Sequence, residues 1–266
     1  MLKINQLLET VAQLRDPKTG CPWDIKQTFD SILPHMLEES YEVAEAIHTQ
    51  DRSALREELG DLLLQVIFLS QLAKEEGSFD FNDVANDLYE KLIFRHPHVF
   101  GDKSANNSEE ALQYWEAQKA ETKQQKGYRS ILDDLPYALP ALTRANKLQK
   151  RCAKVGFDWD NPNDVADKVE EEWQEVQQEL NNLPIQPEKL EEELGDLFFA
   201  SVNLCRHHKI DAEDCLRKAN VKFENRFKKI EQYLANQEKF VSDCTLEELD
   251  FIWNEIKTME KIDKLL

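Results

Sequence analysis

Glycine is scarce in this chain, 7 in 266 residues, and long stretches lack alternating β-branched residues. Both deficits argue against strands and for helices. The cysteines are five, odd in number, scattered, and without a CxxC pair. That excludes a disulfide framework and a cysteine zinc site, and it points to free thiols in a reducing compartment. No apolar run reaches membrane-spanning length, and the first fifteen residues lack the apolar core of a signal peptide, so the expected location is cytoplasmic. Positive charge is also short: 33 Lys and Arg face 52 Asp and Glu, for a net charge of −19. Nonspecific binding to nucleic acid or to an anionic membrane is excluded on that balance.

What the chain has in excess is acid, and the acid is organised. Glu57-Glu58-Leu59-Gly60-Asp61-Leu62 recurs as Glu192-Glu193-Leu194-Gly195-Asp196-Leu197. Each copy follows a second cluster, Glu38-Glu39-x-x-Glu42 in the first and Glu171-Glu172-x-x-Glu175 in the second. The repeat extends outward to Trp23-Asp24 and Trp159-Asp160, to the basic pairs Lys91/Arg95 and Lys222/Arg226, and to Trp115 and Trp253. Offsets between copies drift only from 131 (Lys91 to Lys222) to 138 (Trp115 to Trp253), so element order is kept and connecting lengths vary. A whole module is duplicated. We expect an all-α chain of tandem, four-helix-bundle-like modules: residues 1–121, a connection over 122–140 marked by Gly127, Pro136 and Pro140, and residues 141–266.

Helical periodicity and punctuation place the motifs. Helices are expected over 2–14, from 31–34 to about 48, from about 54 (capped by Ser53 or a near neighbour) to 76, and over 81–94. The second copy follows with 164–180, 188 to about 208 and 212 to about 235. Carboxylates three apart on a helix share one face. Two such helices facing each other gather four acids around one point, an arrangement that needs cations. Candidate ligands are Glu172, Glu175, Glu193 and Asp196, with Glu39, Glu42, Glu58 and Asp61 as a second set. An all-carboxylate site suits Mg²⁺ or Mn²⁺. A di-iron bundle would carry Glu-x-x-His, and no histidine falls in these motifs, which counts against a redox or storage metal protein. Magnesium on few carboxylates commonly shares substrate phosphates, and Lys222/Arg226 and Lys91/Arg95, spaced i and i+4, could grip them. Gly60 and Gly195 inside their helices suggest close approach of another helix or of a ligand.

The two copies differ in charge. Lys168 and Lys189 lie four residues before Glu172 and Glu193, and their first-copy counterparts are His35 and Ala54. The second copy is therefore expected to be the main catalytic centre.

The doubled pattern E-E-x-x-E, spacer, E-x-x-D resembles the MazG family of nucleoside triphosphate pyrophosphohydrolases, over essentially the whole chain. The resemblance implies an all-α fold, Mg²⁺ dependence, homodimers, and hydrolysis of NTPs and dNTPs to the monophosphate and pyrophosphate. It supports nucleotide contacts from Lys168, Lys189, Glu192, Lys222, Arg226 and Trp253, the last by stacking on a base. The alternative is a regulator whose modules bind nucleotide or a protein without turnover.

Overall fold

Thr28 opens the first long helix of the repeat. Its hydroxyl accepts from the Ser31 amide at 3.2 Å while the Ser31 hydroxyl accepts from the Thr28 amide at 2.8 Å. This reciprocal cap satisfies two donors that would otherwise be orphaned, and it moves the helix start upstream of the expected 31–34. As a result Pro34 lies past the first turn and removes one ladder hydrogen bond. The computed structural model describes residues 2–125 and 127–263, and among them there are helices and short 3₁₀ turns but no strand. The first half comprises α1 (Leu2–Leu14), α2 (Phe29–His48), α3 (Arg52–Glu76), α4 (Phe81–Arg95), α5 (Pro97–Phe100) and α6 (Ser108–Gln125). The second comprises α7 (Ala141–Ala153), α8 (Pro162–Asn181), α9 (Pro187–His207), α10 (Ala212–Ala235) and α11 (Leu246–Asp263).

Charged side chains set several ends. Asp51 caps α3, accepting from the amides of Ser53 at 2.8 Å and Ala54 at 3.0 Å, so the cap is that aspartate and not Ser53. Gly77 closes α3 at φ 80°, a left-handed conformation that costs glycine little. Proline sits in the first turn of both α8 and α9, where its missing N–H is no loss.

Two units result, Met1–Lys126 and Gly127–Leu266. The boundary residue Lys126, inside the expected connection, lies outside the described residues. The stretch 127–140 belongs with the second unit. Arg144 Nη1 donates to the carbonyls of Leu135 (3.0 Å) and Pro136 (2.9 Å), and Arg151 Nη1 to that of Ile131 (3.0 Å), which straps it onto α7. Arginine suits this role because its fork of donors can hold several carbonyls at once.

In the first unit α2 packs along α3, with α1 and α4 also on α3. Val11, Ile32, Ile67, Phe68 and Leu72 form its core. In the second, α8 packs along α9 and α7 also contacts α9, while α10 pairs with α11 around Ile230, Leu234 and Ile252. No described helix is long and apolar enough to cross a membrane. All five cysteines are free.

Candidate active site

Pairing α8 with α9 turns two sequence clusters into one spatial one. Glu172, Glu175 and Glu193 each bring a carboxylate oxygen within 4.8 Å of the other two, and Glu39, Glu58 and Asp61 do the same between α2 and α3. Each group holds three of the four expected acids. The fourth stands beside it: Asp196 helps raise the pKa of Glu193 through its charge, and Glu42 acts on Glu39 and Glu58 through both charge and hydrogen bonds. Glu193 and Glu39 are pushed up first by desolvation and then by neighbouring acids; Glu175 is pushed up first by its hydrogen bond to Glu172. Like charges held this closely favour a proton or a cation.

Glu172 is buried, 6% exposed, and a buried charge requires a partner. It has one: Lys168 Nζ stands 2.7 Å from Glu172 and 2.8 Å from Glu171. The two carboxylates push the pKa of Lys168 further up, so the ammonium is permanent. Its first-unit counterpart His35 lies only 3.8 Å from Glu38. Lys189 and Glu192 are exposed and make no ion pair among the described residues.

The basic pairs have a different setting. Arg226 Nε donates to Glu260 at 2.8 Å, and its guanidinium lies over the Trp253 ring at 5.3 Å. Arg95 lies over Trp115 at 5.1 Å in the same way, so the duplication reproduces an arginine–tryptophan stack. Trp253 also meets Phe223 at 5.3 Å and packs on the α10–α11 core. Lys222 and Lys91 are exposed, and no hydrogen bond or ion pair among the described residues joins either basic pair to its acid cluster.

Gly60 and Gly195 have no atom within 4 Å of a Cβ built on them. Among the described residues, a close helix crossing within their own unit is therefore not their reason.

Beside the second cluster lies a cavity of about 370 Å³ that sequence reasoning missed. Lys168, Glu172 and Asp196 form one wall, and Gln149, Phe157, Trp159, Phe199, Asn203 and Arg206 contribute elsewhere. Trp159 belongs to the repeated Trp-Asp pair. Arg206 Nη1 holds Asp158 at 2.9 Å and His207 Nε2 adds a contact at 2.9 Å. The Asp158 carboxyl consequently falls to about 2, mainly through the Arg206 hydrogen bonds against an opposing desolvation effect. A depressed acid pKa stabilises the fold above the ordinary value and loses that contribution as pH falls toward the folded value. Asp158→Asn is therefore expected to lower stability by about 1 kcal/mol at neutral pH, allowing for solvent screening, and by nothing measurable near pH 2. Urea unfolding at the two pH values checks this.

Comparison with known proteins agrees with the duplicated geometry. The MazG nucleotide pyrophosphohydrolase domain matches twice, over residues 27–100 and 161–230, each span holding one acid cluster and one basic pair. The chain belongs to the MazG family. It is 51% identical, over 98% of its length and 99% of the relative's, to an Escherichia coli (strain K12) protein named nucleoside triphosphate pyrophosphohydrolase. It is 42% identical, over 95% and 94%, to a Thermotoga maritima protein named nucleoside triphosphate pyrophosphohydrolase/pyrophosphatase MazG. A crystal structure of a mazG-related protein from Thermotoga maritima matches 44% of this chain and 98% of its own at 30% identity, with a TM-score of 0.38. Both MazG domains end before Trp253, and the second begins after Gln149, Phe157 and Trp159, so much of the cavity wall lies outside the shared domain.

Proposed function

We propose that this chain hydrolyses nucleoside triphosphates, ribo- and deoxyribo- alike, to the monophosphate and pyrophosphate, with the second unit as the main centre and Mg²⁺ as its cation. The observation that carries this is the triplet Glu172, Glu175 and Glu193, one of its members buried, beside a cavity of ligand size. The donor set fits: three carboxylates on two rigid helices, mutually repelling and oxygen-only, are what a hard divalent ion requires. Glu172, Glu175, Glu193 and Asp196 would hold it. When bound, such a cation neutralises phosphate charge and makes water more acidic.

The chain's own residues supply the rest. With a cation held by these carboxylates, Lys168 would turn its ammonium from Glu172 toward a phosphate oxygen. Lys189 and Glu192 border the same end of α9, where a triphosphate would lie, and Lys222 and Arg226 extend the positive charge, Arg226 by exchanging Glu260 for phosphate. Trp253 then acts by holding the Arg226 guanidinium. Water adds to the α-phosphorus and gives up its proton to solvent, the bond to the α–β bridging oxygen breaks, and pyrophosphate leaves with that bonding pair. The first unit, with Glu39, Glu42, Glu58, Asp61, Lys91 and Arg95, is a weaker site of the same type.

Incubating the protein with each NTP and Mg²⁺, and resolving products by chromatography, tests the reaction. Monophosphate and pyrophosphate in equal amounts are expected. Diphosphate and orthophosphate would overturn it, and bound but unconverted nucleotide would favour a regulator.

Assembly follows from surface chemistry. Phe198 and Phe199 on α9, Phe223 on α10 and Leu59, Leu63 and Leu64 on α3 are exposed. Apolar helix faces of this extent call for a partner. A homodimer is expected, and light scattering that returned the 31.1 kDa chain mass at micromolar concentration would refute it.

A further inference from the structure

Arg226 is nearly covered, and its charge is answered within the second unit. Its side chain is 14% exposed, and its guanidinium lies 5.3 Å from the centre of the Trp253 ring. A charge with so little water around it needs a partner. Glu260 on α11, itself 22% exposed, supplies one: its Oε2 accepts from Arg226 Nε at 2.8 Å. The other oxygen, Oε1, accepts from Lys229 Nζ at 2.8 Å. Hydrogen bonds from Lys229 and then Arg226 hold the Glu260 carboxyl below the usual carboxylate range, so it is ionised at neutral pH. One carboxylate thus serves two cations through separate oxygens. Its bond to Arg226 can break while its bond to Lys229 stays.

The first unit shows the same stack without that carboxylate. α6 and α11 are both 18 residues long and correspond end to end at an offset of 138 (246−108 and 263−125), so Glu260 corresponds to Thr122. Lys229 corresponds to His98 at the offset that relates Arg226 to Arg95 (229−98 and 226−95, both 131). The Thr122 hydroxyl donates to the Gln118 carbonyl at 2.9 Å. Among the described residues, Arg95 Nε and His98 Nδ1 are buried and have no hydrogen-bond partner. Arg95 nevertheless lies over Trp115 at 5.1 Å. The arginine–tryptophan stack therefore forms without the glutamate and without the second cation. Packing alone does not account for Glu260.

We infer that Glu260 is a positioning residue for the phosphate site of the second unit: it holds Arg226 over Trp253 while the site is empty, and it passes to Lys229 alone when a phosphate takes Arg226. The inference rests on the phosphate role proposed for Arg226. A phosphate oxygen makes the same charge-assisted contact with a guanidinium as a carboxylate does, so the two compete for it. Lys229 keeps the competition balanced, because after the exchange Glu260 still has a cation and is not left unpaired. Phosphate is thereby held less tightly than an unopposed arginine would hold it, which favours release of pyrophosphate.

The test measures binding of inorganic tripolyphosphate, titrated calorimetrically with Ca²⁺ present, and KM for the preferred NTP with Mg²⁺. Glu260→Gln is expected to tighten tripolyphosphate binding about fivefold, the scale of one part-exposed charged pair, and to lower KM by a similar factor with kcat no higher. Glu255→Gln removes the same charge from the same helix at an exposed position, and it is expected to change neither quantity. Lys229→Met leaves Glu260 to Arg226 alone and is expected to weaken tripolyphosphate binding about fivefold, well beyond the effect of Lys228→Met at the exposed neighbouring position. In the Glu260→Gln background the two lysine substitutions are expected to act alike. Lys229→Met decides the matter if Glu260→Gln does not fold. Unchanged or weaker binding in folded Glu260→Gln, equal tightening by Glu255→Gln, or a Lys229→Met effect no larger than that of Lys228→Met would overturn the assignment. The two proposals fail separately. If no NTP is turned over but Glu260→Gln still tightens tripolyphosphate, the reaction fails and Glu260 keeps its role; if turnover holds and that binding is unchanged, the positioning role alone fails.

Discussion

Glu193→Gln is expected to lower NTP turnover by at least about 10²-fold, equivalent to a loss of roughly 2.7 kcal/mol of barrier stabilisation. The substitution keeps size and hydrogen-bonding capacity and removes only the charge that draws a cation into the triplet. The matching Glu58→Gln change in the first unit is expected to cost much less. That unit has His35 and Ala54 where the second has Lys168 and Lys189, and Gln65 and Phe68 where the second has Ala200 and Asn203. Both variants should fold, because desolvation and then neighbouring acids raise the pKa of Glu193 and of Glu58, so removing one charge relieves both penalties. Steady-state rates and thermal midpoints measured together check this. Loss of activity in Glu58→Gln with activity retained in Glu193→Gln would reverse the assignment.

Excess chelator is expected to abolish turnover outright, and added Mg²⁺ or Mn²⁺ to restore it. A triphosphate brings several negative charges to a surface that already carries three or four carboxylates, in a chain of net charge −19. Lys168 cannot offset this alone, since it is already engaged by Glu171 and Glu172. Cation binding to the folded state alone should also raise the thermal midpoint in proportion to the logarithm of its concentration. Glu193→Gln should blunt that rise. Full turnover in chelator would remove the metal from the mechanism.

The sequence by itself determined the helical class, the duplication and the identity of the acids. Periodicity and repeat spacing are local properties, and carboxylates three apart share a helix face whatever surrounds the helix. It also distinguished the copies through Lys168, which does meet Glu172 one turn on. It placed the start of α2 less well, because Thr28 with Ser31 caps it upstream, while the cap of α3 falls on Asp51, a near neighbour of Ser53. Only the tertiary structure decided which three acids of each set come closest together, that Trp253 is packed under Arg226, and that neither Gly60 nor Gly195 meets another helix of its own unit among the described residues. The cavity belongs to the same group. Its wall draws on residues from Leu132 to Arg206, among them Ala200 and Asn203, where the first unit has Gln65 and Phe68. An empty volume is a property of helices packed together. No residue encodes it alone, so it becomes visible only when the two copies are compared in space.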